Sequence, residues 1–248
     1  KRRKDYWRGD NLIVILGLDG LEYEYVKEFN CKHLMQASFG KTDISEFTEP
    51  RTIVIWSSFL AGKNLEEKIL SLGKEDLWMF RVKPEETFFS SFKTWRAIDV
   101  PGFTHKYENH KRERELLKAF FKERTTVGEY DKVAFENYKE NKEEFFEVLE
   151  DDYEIIMGYF ALADTIGHLS FGLKNKMKIV YKELDNLVRK TEDNVDGKIL
   201  IISDHGMKAI GRFGDHSSYG FWSTSCGTKL ENPKITEFRK IIWSLANR

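Results

Sequence analysis

The sequence predicts an α/β fold in which helices cover both faces of a mostly parallel central sheet, giving three layers. Apolar runs without polar alternation are typical of strands buried on both faces, and three runs of this kind are Leu12 to Leu18, Ile155 to Ala163 and Lys198 to Ser203. Segments with helical spacing alternate with these runs, which favours parallel strands joined by helical crossovers. A chain of 248 residues is long enough to bury a core on each side of such a sheet.

The first run ends at a tight turn. Gly17 and Gly20 flank Asp19 where the backbone must turn, so Asp19 is predicted to sit at the end of a strand. The segment from Leu21 to about Ala37 has a mixed pattern that predicts helix, and Phe39 to Phe47 is predicted to be irregular.

A helix is predicted next, over Ile53 to Ala61, with Gly62 as its stop signal. Thr52, which follows Pro50-Arg51, then lies in the first turn. The backbone N-H groups of a first turn are unpaired and the helix dipole is positive there, so this position favours an anion such as a phosphoryl oxygen.

The pattern of residues 63–94 indicates neither helix nor strand. After them, predicted strands and helices again alternate. The apolar run before Asp164 is predicted to be a strand over Glu154 to Leu162, and further strands are predicted at Trp95 to Val100 and Tyr219 to Thr224. Helices are predicted at Lys111 to Glu123, Lys132 to Leu149, Asn175 to Glu192 and Ile235 to Leu245. The block at about 105–150 is rich in Lys, Glu and Phe and contains no predicted ligand. We expect one domain over 1–248, with this block as a helical insertion or cap.

Composition excludes several classes of protein. Forty Lys and Arg against forty-one Asp and Glu leave no basic field, so no nucleic-acid polymer is expected as a partner. Lys1 to Lys4 is predicted to be a solvated tail. Two cysteines outside any CxxC pair favour a reducing compartment, and no apolar run reaches the roughly 18 residues that span a bilayer. We therefore expect a soluble, cytoplasmic protein with no membrane partner; the oligomeric state is not predicted.

Aspartates and histidines cluster where the predicted strands end. Asp164 and His168 are four residues apart, so a helix would place both on one face, and His216 can complete a ligand set with them. Asp204 and His205 follow another strand and can form a second set with Asp19. A lone aspartate after a strand is usually a helix cap, but coincidence is a poor explanation for the whole group. With the Thr52 hydroxyl, these residues suffice for two divalent cations and a nucleophile. His33, His105 and His110 have no carboxylate at ligand spacing and are predicted to be solvated.

Five motifs occur in an order that resembles a known superfamily. They are Leu18-Asp19-Gly20, Pro50-Arg51-Thr52 with Trp56 and Gly62, Asp164 with Gly167-His168, Ser203-Asp204-His205-Gly206-Met207, and Asp215-His216. Together they resemble the alkaline phosphatase superfamily, and within it the type I phosphodiesterase and nucleotide pyrophosphatase family. The likeness extends from residue 12 to about 224 but is thin over 63–150.

This resemblance implies a site and a reaction. Asp164, His168 and His216 would hold one metal, and Asp19, Asp204, His205 and Thr52 the other. The metals would be zinc, with manganese as the alternative, since the oxygen and nitrogen donors suit either. Thr52 would be the nucleophile that forms a covalent phosphothreonine on a small phosphate ester, possibly a nucleotide; Thr48, Ser57 and Ser58 are the rival hydroxyls.

Two departures from the family pattern leave alternatives open. Many members carry an asparagine three residues after the nucleophile, where this chain has Ile55, and the segments that form their leaving-group pocket are short here. A phosphomonoesterase on the same ions, or a non-catalytic protein that binds nucleotide or phosphate, therefore remain alternatives. A mutase or sulfatase is disfavoured, because the mutase's serine and large insertion and the sulfatase's modifiable residue are not evident.

Overall fold

The computed structural model of the chain describes residues 12–73 and 76–247; the predicted tail at Lys1 to Lys4 lies outside them. The strands are β1 (Ile13–Leu18), β2 (Ser38–Asp43), β3 (Trp95–Ile98), β4 (Ile155–Phe160), β5 (Lys198–Ser203), β6 (Met207–Ile210), β7 (Phe213–His216) and β8 (Tyr219–Thr224). The helices are α1 (Tyr23–Glu28), α2 (Lys32–Met35), α3 (Thr52–Ala61), α4 (Glu66–Leu70), α5 (Tyr107–Phe120), α6 (Val127–Val148), α7 (Leu162–Ser170), α8 (Lys174–Asn194) and α9 (Phe238–Ala246). Short 3-10 turns lie at Asp76–Met79, Pro84–Glu86, Phe88–Ser91 and Ile235–Glu237.

Six strands form the central sheet, in the order β2-β8-β5-β1-β4-β3. β1 pairs in parallel with β4 on one side and β5 on the other, and β3 extends the parallel set beyond β4. β8 is antiparallel to both β5 and β2. The predicted mostly parallel α/β sheet is therefore confirmed, and β1 lies between the two other strands that precede predicted ligands.

The sheet buries a separate apolar core on each face. Side chains of successive strand residues point to opposite faces, so in β1 Ile13 and Ile15 join one core while Val14 and Leu16 join the other. The first core is covered by α3 and α9, and the second by α6, α7 and α8. The result is the predicted three-layer arrangement.

The N-terminal third departs from the predictions in two places. The stretch from Phe39 to Phe47 was predicted to be irregular; its last four residues are, but residues 39–43 belong to β2, which pairs with β8 through Gly40 and Trp222. The prediction for 39–43 is wrong because a strand at the edge of a sheet is only half buried and needs no continuous apolar run. The helical stretch predicted over 21–37 is two short helices, α1 and α2, separated at Asn30, whose φ is 49°. The helix predicted after Thr52 is confirmed, and Gly62 ends it at a φ of 65°.

None of the helices in residues 12–73 and 76–247 combines the length and the apolar character needed to cross a bilayer. The two cysteines are both free, Cys31 buried and Cys226 exposed. The cytoplasmic location stays a prediction.

Candidate metal centre

The carboxyl ends of β1, β4 and β5 bring the predicted ligands to one edge of the sheet. Asp19 directly follows β1 and Asp204 follows β5, while Asp164 lies in the first turn of α7, just after β4. The backbone N-H of Asp164 donates to the carbonyl oxygen of Asp19 over 3.1 Å, which ties two of these strand ends together. His216 arrives from the end of β7, on a hairpin that sequence analysis did not predict.

His205 lies between three carboxylates. Its Nε2 atom is 3.3 Å from Oδ1 of Asp19, 3.5 Å from Oδ2 of Asp204 and 3.9 Å from Oδ1 of Asp164. His205, Asp19 and Asp204 are fully buried. Four charged or polar side chains thus meet in the protein interior.

The other two histidines approach Asp164. Nε2 of His216 is 3.5 Å from its Oδ1, and Nε2 of His168 is 3.2 Å from its Oδ2. The rings of His205 and His216 stack at a centroid distance of 3.8 Å.

Two triplets have ligand atoms within 4.8 Å of one another: Asp164 with His205 and His216, and Asp19 with Asp204 and His205. All six predicted Asp and His ligands therefore lie in one cluster. His205 is common to both triplets, and His168 adds its Nε2 atom 3.2 Å from Oδ2 of Asp164. Binding of ions by these residues stays a prediction.

Several ligand atoms in this cluster are buried without a hydrogen-bond partner. They are Oδ1 of Asp19, Oδ1 of Asp164, both carboxylate oxygens of Asp204, and the Nε2 atoms of His205 and His216. An isolated buried carboxylate is strongly unfavourable unless it is paired or binds a metal. Oxygen and imidazole nitrogen donors without a thiolate suit zinc and manganese. The residues present therefore fit divalent cations.

Neighbouring groups orient these free atoms. Tyr159 and Trp56 donate hydrogen bonds of 2.6 and 3.1 Å to Oδ2 of Asp19, which leaves Oδ1 to the cluster. Nδ1 of His205 is 3.0 Å from the Gly206 carbonyl oxygen, and Nδ1 of His216 is 2.8 Å from the Pro50 carbonyl oxygen. A proton on each Nδ1 leaves Nε2 as a lone-pair donor, which is the arrangement that outer groups impose on metal-binding histidines.

Glu22 fixes the loop that carries His205. Its Oε2 atom accepts a hydrogen bond of 3.0 Å from the backbone N-H of Met207, and its Oε1 atom accepts one of 2.6 Å from the Tyr219 hydroxyl. A Cβ atom at Gly206 would come within 2.4 Å of Oε2. The glycine of this motif therefore allows a close approach between the loop and Glu22.

The electrostatics of the cluster favour the binding of positive charge. Burial and the neighbouring Asp164 raise the pKa of Asp19 to about 6, and burial with two carboxylate neighbours raises the pKa of Asp204 well above its usual value. Burial opposes ionisation of Asp164 too, but His168 and His216 hold its pKa below the usual range. Burial and the proximity of His216 lower the pKa of His205 to about 3. Three carboxylates at this spacing repel one another, and positive charge would relieve that repulsion.

Thr52 begins α3 and lines the cavity beside the cluster. The rival hydroxyls have other positions: Ser57 and Ser58 are fully buried, and the exposed Thr48 bonds to Glu66. Ile55 is fully buried in the core, so the position three residues after Thr52 contributes no polar group.

The cavity has a volume of about 530 Å³, within the usual range for small-molecule sites. Asp164, His168 and His216 lie on its wall together with one face of α5, formed by His110, Glu113, Arg114 and Leu117. The i, i+3, i+4, i+7 spacing could have indicated this face, but its charged residues do not resemble a core.

The predictions that His105 and His110 are solvated are wrong. His105 is buried, and His110 is largely buried because its Nε2 atom bonds to Oδ1 of Asp99 over 2.9 Å. The partner lies eleven residues earlier in the chain, so no local spacing reveals it. Tyr159 and Trp56 were also missed as supporting residues, since both read as ordinary apolar positions.

Comparison with protein-family models gives no match, and comparison with curated proteins gives none either. Solved structures do match. The PH0037 protein from Pyrococcus horikoshii aligns with a TM-score of 0.56 at 13% identity, over 96% of this chain and 97% of that one. Alkaline phosphatase from the Antarctic bacterium TAB5 aligns with a TM-score of 0.51 at 9% identity, over 96% and 98%.

This chain has the alkaline phosphatase fold. The predicted resemblance to the alkaline phosphatase superfamily is thus confirmed at the level of the fold. Murine ectonucleotide pyrophosphatase/phosphodiesterase 5 also aligns, with a TM-score of 0.46 at 13% identity, over 81% of this chain and 58% of that protein.

Proposed function

We propose that this protein is a metal-dependent hydrolase of phosphodiester or pyrophosphate bonds in small, nucleotide-type substrates, related to the type I phosphodiesterases and nucleotide pyrophosphatases. Asp164, His168 and His216 would hold one divalent ion, and Asp19, Asp204, His205 and the Thr52 oxygen a second. Zinc is the proposed metal and manganese the alternative.

One observation carries this proposal: lone-pair atoms of five different side chains converge in the interior without hydrogen-bond partners. A structural ion-pair network would satisfy these atoms among themselves, because each unpaired buried group reduces stability. Here the second nitrogen of His205 and of His216 and the second oxygen of Asp19 are already bonded. The free atoms are therefore the ones aimed at a common centre.

Thr52 would act as the nucleophile. Divalent ions bound in the cluster would lower the pKa of its hydroxyl and neutralise charge on the phosphoryl oxygens. A bond would form between the Thr52 oxygen and phosphorus as the bond to the leaving oxygen breaks, and water would then hydrolyse the phosphothreonine ester. The backbone N-H groups of Thr52 and Ile53, at the start of α3, would bind a phosphoryl oxygen during both steps.

We further propose that the segment at about 105–150 is the cap of this site within a single domain. In support, α5 lines the cavity. The segment also contributes α6, whose Phe145 belongs to the buried core, so part of it is a structural layer.

A metal-by-substrate screen on the purified protein tests the function. We expect the zinc- or manganese-loaded protein to hydrolyse bis(p-nitrophenyl) phosphate faster than p-nitrophenyl phosphate, with about two ions per chain by elemental analysis. The reverse preference would instead indicate a phosphomonoesterase. Full metal loading without any esterase activity would indicate a non-catalytic binding protein.

A further inference from the structure

Arg114 lies on the face of α5 that lines the cavity, and it is not one of the proposed metal ligands. Its guanidinium carbon is 4.2 Å from the centre of the Trp78 ring and 5.8 Å from that of Tyr107. A guanidinium over an aromatic ring is attracted by the ring electrons without using its N-H donors. Arg114 is therefore held beside Trp78 by contacts that use none of its N-H donors.

The donors of Arg114 also lack an acidic partner. Within residues 12–73 and 76–247, the structure gives it neither an ion pair nor a hydrogen bond. Two other cations on the cavity wall are neutralised, since Arg51 pairs with Glu49 at 2.6 Å and Lys208 with Asp215 at 3.2 Å. An arginine without a partner in a cavity is available to a ligand.

The neighbouring carboxylate of Glu113 acts on Arg114 through its charge, but its direct contacts are with other residues. Glu113 accepts a hydrogen bond of 2.7 Å from Asn137, and its other oxygen is 3.8 Å from Nδ1 of His110. Its contacts are thus with α6 and with its own helix, and an anion beside Arg114 would have the five N-H donors of the guanidinium to itself.

The cavity places Arg114 where the leaving part of a substrate would lie. Its wall includes Asp164 and His216, and it also includes Leu77 and Trp78, of which Trp78 contacts Arg114. A substrate phosphorus near Thr52 would therefore leave room for a further group, and that group would reach the α5 wall.

We propose that Arg114 determines substrate specificity by binding a second anionic group, a phosphoryl or a carboxylate, in the leaving part of the substrate. This inference rests on the proposed function. The planar fork of arginine binds both kinds of oxyanion through two parallel hydrogen bonds. Pyrophosphate-type substrates and diesters with an acidic leaving group are then preferred over diesters whose leaving group is neutral.

Three substrates with a common p-nitrophenyl phosphoryl group test this inference. Bis(p-nitrophenyl) phosphate has a neutral leaving group, p-nitrophenyl 4-carboxyphenyl phosphate adds a carboxylate, and P1,P2-bis(p-nitrophenyl) pyrophosphate adds a phosphoryl. For each, kcat/KM of Arg114→Met is divided by that of the wild type, so that intrinsic reactivity cancels. Arg112→Met is the control, because Arg112 is on the same helix but exposed and 3.7 Å from Glu136.

We expect Arg114→Met to lower kcat/KM about 10- to 100-fold for one or both anionic substrates, the loss typical of hydrogen bonds to charged groups, and less than about threefold for the neutral one. Whichever anionic substrate is affected shows whether Arg114 binds a carboxylate or a phosphoryl group. Equal losses on all three substrates would place Arg114 on the reacting phosphate and overturn the inference, as would no loss on any of them.

A binding measurement distinguishes failure of this inference from failure of the proposed function. If the wild type hydrolyses none of the substrates, the proposed function fails, and calorimetry of the zinc-loaded protein with inorganic pyrophosphate still tests Arg114. Weaker pyrophosphate binding by Arg114→Met than by Arg112→Met supports an anion site; equal binding by the two variants and the wild type excludes one.

Discussion

The hydroxyl group of Tyr159 donates a hydrogen bond of 2.6 Å to Oδ2 of Asp19. These residues lie on β4 and at the end of β1, which pair in the sheet, and Trp56 on α3 donates to the same oxygen over 3.1 Å. Three elements thus hold one carboxylate so that only its Oδ1 faces His205. The orientation of a proposed ligand is built into the packing of the fold.

Replacing Tyr159 by phenylalanine should weaken zinc binding about 10- to 100-fold, the usual effect of removing an outer partner of a ligand. Competition with a chromophoric chelator measures the affinity. Tyr138→Phe is a matched control, because the Tyr138 hydroxyl donates over 2.9 Å to Glu183, outside the cluster. Both variants should lose about 1 kcal/mol of unfolding free energy. Equal zinc affinity in Tyr159→Phe and the wild type would remove Tyr159 from the support of this site.

Thr52→Ala should abolish hydrolysis while zinc content stays near that of the wild type, because the histidine and aspartate ligands remain. Mass spectrometry after an acid quench should detect phosphorylated Thr52 in the wild type and none in the variant. Thr48→Ala, which removes a hydroxyl bonded to Glu66, should keep its activity. Wild-type turnover by Thr52→Ala would show that the nucleophile has been misassigned.

Asp204→Asn should reduce the metal content by about one ion per chain, since both oxygens of Asp204 are buried and free of hydrogen bonds and an amide is a poorer ligand than a carboxylate. Elemental analysis after dialysis gives the count. Asp193→Asn is the comparison, because Asp193 is exposed on α8 and pairs with Arg189 over 2.9 Å; its metal content should not change. An undiminished count in Asp204→Asn would exclude Asp204 as a ligand.

The sequence was sufficient to predict the strands that carry the site. Ile13–Leu18 and Lys198–Ser203 are buried on both faces, so their apolar runs are continuous and their aspartates stand out at the ends. The i, i+4 spacing of Asp164 and His168 is likewise local, and α7 places both on one face. Local patterns were thus enough wherever a residue's role depends on its own element.

Other features depend on partners that are distant in the chain. β2 is a strand because it pairs with β8, some 180 residues later, and not because of its own pattern. His110 looked solvated because its partner Asp99 lies across a turn in which Asp99 itself has a φ of 55°. Tyr159 looked like a core residue, and only the folded structure shows its hydroxyl at Asp19. Tertiary contacts override local patterns at such positions.

Gly206→Ala should displace the loop that carries His205, because the added Cβ would lie 2.4 Å from Oε2 of Glu22 and 2.8 Å from Oγ of Ser217. Overpacking of this kind costs about 1 to 3 kcal/mol, and zinc affinity should fall at least tenfold. Gly128→Ala in α6 meets no atom closer than 3.9 Å and should leave zinc binding unchanged. Chelator competition and urea unfolding measure the two effects. The predicted close contact is refuted if both variants match the wild type.

The metal-free protein should lose stability between pH 6.5 and pH 9. Burial disfavours the charged form of His216, but Asp164 outweighs burial and raises its pKa to about 9. Because the folded state binds this proton more tightly than the unfolded state, the stabilisation is fully present below about pH 6.5 and disappears as the pH rises through about 9.

Urea unfolding in EDTA measures the unfolding free energy at each pH in this window. It should decrease with pH more steeply in the wild type than in His216→Gln, and the two slopes should differ by up to about 1.4 kcal/mol per pH unit. Zinc affinity should change in the opposite direction and rise with pH, because the metal displaces the same proton. Identical slopes in the wild type and His216→Gln would mean that His216 is not protonated in the metal-free protein, and that its contact with Asp164 is not an ion pair.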